Sequence, residues 1–313
     1  MYIQQHLSGR SDSGHRVVHY HTLRSSAYAV PAPAAKRDLF SGFYPYEQKA
    51  RFSTYFCRAV QAASGMVPEK QNKMQVKPYS SEGSKKSQVS DMFNRIAPYY
   101  DLLNRVLSLG IDRNWRKKAI SLLESSRPKH ILDVATGTAD VALETARRLS
   151  PDSIIGVDIS ADMLAIGRQK ITKQGLDEVI RLEEADSENL PFADNTFDAV
   201  TVAFGVRNFE HLELGLAEMQ RVLKPGGQVV ILEFSKPVAF PFKQLFHFYF
   251  RNILPFIGKI TSKDPKAYRY LYESVQAFPD GDAFLEVLQK TGYNNNRCIP
   301  LTLGICSIYS GQK

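Results

Sequence analysis

The chain is poor in cysteine and has no long apolar run. Its 313 residues include three cysteines, Cys57, Cys298 and Cys306, which are too few and too scattered for a disulfide framework or a cysteine metal site. No hydrophobic stretch reaches the roughly 18 residues that a membrane-spanning helix needs. We therefore predict a cytoplasmic protein of a reducing compartment, without a metal site.

The basic charge is concentrated at one end of the chain. The net charge is +8, but residues 1–73 hold ten Lys or Arg against four Asp or Glu, which leaves little excess for residues 74–313. A nucleic-acid-binding domain would carry its basic surface on the folded part. We therefore expect no nucleic-acid ligand.

Residues 1–73 also lack a sustained period of 2 or 3.6. Stretches such as SGRSDSGHR and VPAPAAKRD have the composition of loops or disorder. An organellar transit peptide is one alternative, and upstream sequence read from an early start codon, with Met74 the true beginning, is another. We predict a disordered or dispensable N-terminal extension over 1–73 and a single folded domain over 74–313.

After residue 89, short apolar strands alternate with helical patterns. Two amphipathic helices come first, the earlier one interrupted at Pro98. The pattern then predicts strands at 130–134, 153–157, 179–183, 197–203 and 228–234, with helices at about 140–149, 161–174 and 212–223. An aromatic-rich insertion, 236–275, precedes a helix at about 281–291 and two strands at about 296–300 and 304–310. This alternation predicts an α/β fold, a Rossmann-like, doubly wound and mostly parallel sheet.

The stretch HILDVATGTADVALETARRL, residues 130–149, predicts a strand, a turn of small residues and a helix. Gly137 and its neighbours let a ligand approach the backbone, and the first amides of a helix are unpaired donors. Asp158 ends the second strand and can accept ribose hydroxyls, and Asp186 and Ser187 follow the third strand and can reach an adenine amino group. An ordinary tight turn and a helix-capping Asp158 are the structural alternatives.

Two nucleotide motifs are absent. The chain contains neither G-x-G-x-x-G nor G-x-x-x-x-G-K-[ST], which disfavours NAD and a P-loop nucleotide. Contacts for a ribose and an adenine without a pyrophosphate site suit an adenosyl ligand.

Three blocks resemble a known family. They are YYDLLNRVLSLGIDRNW (99–115), AFGVRNFE (203–210) and RVLKPGGQVVILEFS (221–235). They are similar to signatures of the ubiquinone/menaquinone biosynthesis C-methyltransferases, which are class I S-adenosylmethionine-dependent methyltransferases. The resemblance runs from about Lys77 to Lys313, with Leu103 in place of a methionine and Asp112 in place of a histidine. Ala135 and Ala139 stand where many methyltransferases have glycine.

The resemblance implies S-adenosylmethionine as the cofactor and a polyprenylated quinol as the substrate. Stretches such as AVTVAFGVRNFEHLELGLAEM resemble the branch that methylates demethylmenaquinol to menaquinol. A benzoquinol of the ubiquinone pathway, another lipid acceptor and a non-catalytic cofactor-binding subunit are the alternatives. By the same resemblance, Thr138 lines the methionine end of the cofactor, Asp158 the ribose, and Asp186 and Ser187 the adenine, while Gly137 keeps the turn open.

On the acceptor side, the resemblance points to Arg207 and Asn208, then to Tyr100 and Asp101. Arg207 would hold a phenolate and Asn208 would orient it. The structural alternatives are a salt bridge at a strand end for Arg207, and helix packing and capping for Tyr100 and Asp101.

The aromatic segment FPFKQLFHFYFRNILPFIG, 240–258, has three interpretations. It is a lid over a polyprenyl tail, a peripheral surface at the inner face of the membrane, or, as the structural alternative, a subunit interface in a homo-oligomer or a covering for the sheet edge. All three place it at the surface or in a groove.

Overall fold

The computed structural model describes residues 76–79, 82–248, 252 and 265–313. The extension predicted over residues 1–73 lies outside the described residues, so its boundary stays a prediction. Most of the second half of the aromatic segment lies outside them too.

The strands of the described residues form one seven-stranded sheet. In chain order they are β1 His130–Val134, β2 Ser153–Asp158, β3 Ile180–Glu184, β4 Phe197–Ala203, β5 Leu223–Phe234, β6 Asn294–Leu301 and β7 Cys306–Gln312. The spatial order is β3-β2-β1-β4-β5-β7-β6, and β7 runs antiparallel to both of its neighbours. The prediction of a mostly parallel sheet is confirmed.

Eight helices are assigned in the described residues. They are α1 Lys85–Leu107, α2 Asp112–Ser121, α3 Asp140–Leu149, α4 Ala161–Lys173, α5 Leu212–Val222, α6 Phe242–Phe248, α7 Pro265–Ala277 and α8 Asp282–Lys290. Short 3₁₀ turns lie at Val206–Asn208 and Thr302–Gly304. The helices between the strands agree with the sequence pattern to within a residue or two.

Helices cover both faces of the sheet. Along β5, Val229 and Ile231 pack into a cluster that contains side chains of α5 and α8. Val230 and Leu232 pack into a second cluster, with side chains of α2, α3 and α4. Because successive side chains of a strand point to opposite faces, the two clusters lie on opposite sides of the sheet. The chain is therefore doubly wound, as the alternation of strands and helices predicts.

The interruption predicted at Pro98 is wrong, because α1 continues through this residue. Proline removes one backbone donor and crowds the preceding turn, which weakens a helix without always ending it. Here Ala97 on one side of the proline is 2% exposed and Leu103 beyond it is 4% exposed, so burial of α1 spans the site. The tertiary packing overrides the local preference.

The carboxyl ends of the parallel strands meet at one edge of the sheet. β1 and β4 are neighbours, but the chain leaves them toward opposite sides, to β2 and to β5. Such a divergence opens a crevice at the strand ends. The helix α1 lies over this edge, where the Ser90 hydroxyl donates to the carbonyl of Ile159 at 2.9 Å.

Within the part of the chain that the structure describes, no helix combines the length and the apolar character that crossing a bilayer requires.

Candidate functional site

The turn after β1 is held by a buried carboxylate. The hydroxyls of Thr136 and Thr201 donate to Asp133 at 2.6 and 2.7 Å. Burial raises the pKa of Asp133 to about 6, although both hydrogen bonds oppose this rise. Ala135 and Ala139 adopt left-handed φ angles of 51° and 65°, a conformation that costs an alanine more than a glycine. The two alanines therefore place conformational strain in the turn.

Asp158, at the end of β2, orders the same turn from the neighbouring strand. Its Oδ2 accepts the Gly137 amide at 2.9 Å, and its Oδ1 accepts the Ser160 amide at 2.9 Å. Burial raises the pKa of this carboxyl, and the backbone hydrogen bonds oppose the rise. These bonds fix the orientation of the carboxylate at the end of β2.

Asp186 and Ser187 follow β3 and lie at the same edge. Asp186 forms an ion pair with Lys86 of α1, and its Oδ1 accepts the Glu188 amide at 2.9 Å. The hydrogen bond to Asp186 raises the pKa of Lys86, so this lysine stays charged. The ion pair fastens the first turn of α1 to the loop after β3.

These residues line one cavity, which we call the cofactor crevice. Its walls include Lys86, Phe93, Tyr100, Gly137, Asp158, Asp186, Ser187, Phe204 and Asn208. Four of the five predicted cofactor residues thus lie together.

Thr138 is the fifth, and the structure places it outside the crevice wall. Its hydroxyl donates to Asp101 at 2.6 Å and accepts from Lys170 at 3.0 Å. Lys170 also forms ion pairs with Asp101 and Asp140. Asp101 lines neither the crevice nor the cavity described next, because its carboxylate points to this cluster. Through these bonds, the Asp101 side chain connects α1 to the turn after β1.

A second cavity, the acceptor cavity, adjoins the crevice. It has a volume of about 270 Å³ and is enclosed mainly by apolar and aromatic side chains. Its walls include Met92, Phe93, Ile96, Tyr100, Leu103, Leu109, Asp112, Trp115, Phe204, Arg207, Asn208, Phe234, Phe246, Tyr268, Tyr270 and Ile305. The two cavities share Phe93, Tyr100, Phe204 and Asn208, so they meet at these side chains.

Arg207 lies on the wall of the acceptor cavity and is paired with a fully buried carboxylate. Its Nη1 donates to Glu233 at 2.7 Å and to the Phe204 carbonyl at 2.5 Å. The guanidinium also lies over the Phe234 ring, 5.4 Å from its centre. Burial raises the pKa of Glu233, and the charge of Arg207 opposes that rise. The salt bridge that was the alternative for Arg207 exists, yet its Nε remains buried without a partner among the described residues.

Asn208 and Tyr100 lie at the junction of the two cavities. The Asn208 amide nitrogen donates to the Phe204 carbonyl at 3.2 Å, while its Oδ1 is buried and has no partner in the described part. Burial raises the pKa of Tyr100, so its phenol stays protonated. Three of the four predicted acceptor-side residues, Arg207, Asn208 and Tyr100, are thus brought together.

Sequence reasoning missed the residues that fasten the start of α1. The Glu210 carboxylate accepts the backbone amides of Lys85 and Lys86 at 3.0 and 3.4 Å, as a helix cap does. The Lys85 ammonium donates to the carbonyls of Arg207 and Phe209 at 2.9 and 2.8 Å. Burial, followed by the nearby charge of Arg207, lowers the pKa of Lys85 to about 8. The local signal was weak, since the partners are more than 120 residues apart.

Asp112 takes the position where the family signature has histidine. It is buried on the wall of the acceptor cavity, and its carboxylate accepts from the Ser108 hydroxyl at 2.6 Å and from Arg116 at 2.5 Å. These contacts hold the carboxylate in place at the start of α2.

The sequence of the chain is similar to those of known methyltransferases. A model of the ubiE/COQ5 methyltransferase family matches residues 81–313. The demethylmenaquinone methyltransferase of Bacteroides fragilis is 50% identical over 238 residues, which are 76% of this chain and 97% of that protein. The ubiquinone/menaquinone biosynthesis C-methyltransferase UbiE of Geotalea daltonii is 49% identical over 73% of this chain and 97% of its own.

Among solved structures, a methyltransferase of Thermotoga maritima that depends on S-adenosylmethionine has the same fold. Its TM-score is 0.51 at 18% identity, over 72% of this chain and 99% of that one. The family match covers the whole sheet and both cavities. The chain therefore belongs to the ubiE/COQ5 methyltransferase family, and it is an enzyme that uses S-adenosylmethionine.

Proposed function

We propose that the protein methylates a ring carbon of demethylmenaquinol and so forms menaquinol. The observation that carries this proposal is the junction at which the cofactor crevice and the acceptor cavity share four side chains. An adenosyl donor and an aromatic acceptor, each in its own cavity, would have their reacting groups side by side there. Relatives named demethylmenaquinone methyltransferase support this acceptor.

The size of the acceptor cavity agrees with a bicyclic ring. A cavity of about 150 Å³ holds one benzene molecule. The cavity of about 270 Å³ therefore has room for a naphthoquinol ring, but not for a long isoprenoid chain as well. The tail would have to leave along the mouth of the cavity, where Leu109 is 84% exposed.

The residues of the crevice fit S-adenosylmethionine. Asp158 already accepts two backbone amides and has acceptor positions left for two ribose hydroxyls. Asp186 and Ser187 would contact the adenine, and Gly137 would keep the turn open for the cofactor. Thr138 would act on the methionine end through its position in the turn, because its hydroxyl is bound to Asp101.

When bound, S-adenosylmethionine supplies a methyl group on a positively charged sulfur, which is reactive without a metal. The chain must orient the quinol and favour loss of the hydroxyl proton next to the reacting carbon, since the phenolate makes that carbon nucleophilic. Arg207 would donate its unpaired Nε–H to the phenolate, and the Asn208 amide would orient the ring. Overall, a carbon–carbon bond forms, the carbon–sulfur bond breaks and one proton is released.

Tyr100 and Asp101 would have different roles. Tyr100 reaches both cavities, so it can contact the ring at the point of transfer. Asp101 would be a positioning residue, because its bonds to Thr138 and Lys170 hold α1 against the turn.

We further propose peripheral contact with the membrane through α6 and the loop before it. Val238, Phe240, Leu245 and Phe248 are 58–91% exposed, and Lys243 between them is exposed as well. Phe246, on the other side of α6, is buried against the acceptor cavity. One short helix therefore links an apolar, basic surface to the cavity, which is the arrangement that delivery of a lipid-soluble quinol requires.

The acceptor is tested by incubating the protein with labelled S-adenosylmethionine and reduced demethylmenaquinol or its benzoquinol counterpart. We expect mass analysis of the lipids to detect methylated naphthoquinol, with a much slower reaction of the benzoquinol. Faster methylation of the benzoquinol would indicate that the enzyme acts in the ubiquinone pathway. Cofactor binding without methylation of either quinol would contradict the proposed function.

Replacing Asp158 should weaken cofactor binding. A hydrogen bond to a charged group contributes about 1.5–3 kcal/mol, so Asp158→Asn should raise the Kd for S-adenosylmethionine more than tenfold in calorimetry. Asp198 is a matched control, because it also accepts two backbone amides, at 2.9 and 2.8 Å, but at the opposite edge of the sheet. Asp198→Asn should lower stability and leave the Kd unchanged. Equal Kd values for Asp158→Asn and the unmodified protein would remove the ribose assignment.

Replacing Arg207 should slow turnover and leave cofactor affinity unchanged. Loss of one donor to a developing oxyanion typically costs about 10²–10³ in kcat. Arg207→Gln alone strands the buried charge of Glu233, so Arg207→Gln with Glu233→Gln keeps the site neutral and the protein folded. Both variants should lose at least 100-fold in kcat on that scale.

Arg221→Lys is the control for Arg207, since Arg221 pairs with Glu218 and Asp194 away from both cavities. It should keep full activity. An Arg207 double variant that is folded and as active as the unmodified protein would exclude the catalytic role.

The membrane contact is tested by cosedimentation with vesicles of phosphatidylethanolamine and phosphatidylglycerol. Leu245→Ser with Phe248→Ser should reduce binding at least fivefold, because burial of each large apolar side chain contributes about 1.5–3 kcal/mol. Leu214→Ser on α5, an equally simple change of an exposed leucine, should have no effect. Unchanged vesicle binding with a smaller oligomer in size-exclusion chromatography would assign this surface to a subunit interface instead.

A further inference from the structure

The acceptor cavity has a third buried polar group that lacks a partner. In the described part of the chain, six buried side-chain polar atoms make no hydrogen bond, and three of them belong to Arg207, Asn208 and Tyr270 on the wall of this cavity. Folded proteins leave few such atoms unpaired, because each loses its hydrogen bonds to water. Their concentration on one cavity indicates that a ligand supplies the missing partners.

Tyr270 differs from the other deeply buried tyrosines of the fold. It lies on α7 and is 2% exposed. The hydroxyl of Tyr293, 1% exposed, donates to the Leu216 carbonyl at 3.0 Å, and the hydroxyl of Tyr309, 0% exposed, accepts the Gly281 amide at 2.8 Å. The fold thus provides a protein partner for two of these phenols and none for the third, which belongs to a residue that lines the acceptor cavity.

The three unpaired groups are chemically complementary to a ring that bears hydroxyls. Arg207 Nε can only donate and Asn208 Oδ1 can only accept, whereas a phenol can do either. Burial raises the pKa of Tyr270, so its hydroxyl keeps its proton and can donate. A quinol hydroxyl, and the phenolate formed from it, both accept such a hydrogen bond.

The ion pair between Arg207 and Glu233 makes the neutral Tyr270 hydroxyl more important as a donor. The charge of Arg207 is balanced by Glu233, whose carboxylate is fully buried and 2.7 Å away. A phenolate in the cavity therefore meets a pair with no net charge, and its stabilisation depends on directed hydrogen bonds rather than on a free cation. Tyr270 can supply one of these bonds without adding a charge.

We propose that the Tyr270 hydroxyl hydrogen-bonds a ring oxygen of the acceptor and selects hydroxylated rings over rings that lack this oxygen. This inference rests on the proposed function, since it assigns a further contact in the same cavity. A site that contains a hydrogen-bonding group discriminates strongly against an analogue without the matching group, because the buried group then stays unpaired. Tyr270 is thus a substrate-contacting residue that determines specificity.

The test compares Tyr270→Phe with Tyr293→Phe. Tyr270→Phe removes a hydroxyl that has no protein partner, so the melting temperature should stay the same or rise, while kcat/KM for demethylmenaquinol should fall about tenfold, as expected for one hydrogen bond. Tyr293→Phe removes a satisfied hydroxyl, so it should lower the melting temperature and leave kcat/KM unchanged. Neither variant should alter the Kd for S-adenosylmethionine.

A binding measurement separates failure of this inference from failure of the proposed function. Calorimetry with 1,4-dihydroxynaphthalene under anaerobic conditions should show about tenfold weaker binding to Tyr270→Phe, and with naphthalene no difference. If the unmodified protein methylates no quinol but this contrast appears, the proposed function fails and the role of Tyr270 stands. A Tyr270→Phe variant that binds the dihydroxy ring like the unmodified protein, or that melts at a lower temperature with full activity, would overturn the inference.

Discussion

The site depends on the attachment of α1 across the carboxyl edge of the sheet. The divergence of β1 and β4 opens a crevice, but an open edge would expose both ligands to water. Glu210 and Asp186 hold the first turn of α1, and Asp101 holds its far half through Thr138 and Lys170. Because α1 contributes walls to both cavities, these polar contacts help to determine the shape of each cavity.

The fold was largely predictable from the sequence, but the contacts that attach α1 to the edge of the sheet were not. Apolar runs and helical spacing are local, so they predict β1 to β5 and the helices between them. A strand-end acid such as Asp158 has a recognisable place in that order. The contacts of Lys85 with the 206–209 turn join segments more than 120 residues apart, and no local pattern encodes them. Pro98 was misread for the related reason that burial of the whole helix outweighs one missing hydrogen bond.

For the candidate site residues, the sequence predicted the approximate location of each side chain better than it predicted the contacts of that side chain. Asp101 and Thr138 lie beside the cavities rather than on their walls, where they bind each other, and the sequence contained no sign of the Lys170 that completes their cluster. Arg207 is both a partner in a salt bridge and a wall of the acceptor cavity, so two interpretations that exclude each other in a sequence hold together in space. One guanidinium has several donors, and here Nη1 binds Glu233 and the Phe204 carbonyl while Nε has no partner in the described residues.

Strained backbone and an unpaired polar atom lie close to the junction of the two cavities. Ala135 and Phe204 adopt left-handed φ angles of 51° and 57°, and Asn208 buries an unpaired oxygen nearby. Each such feature lowers the stability of the free protein by about 1–3 kcal/mol. A junction relaxed in the free enzyme would have to rearrange when donor and acceptor bind. Here the carbonyl of Phe204 accepts hydrogen bonds from both Arg207 and Asn208, so the strained turn fixes these two side chains before a ligand binds.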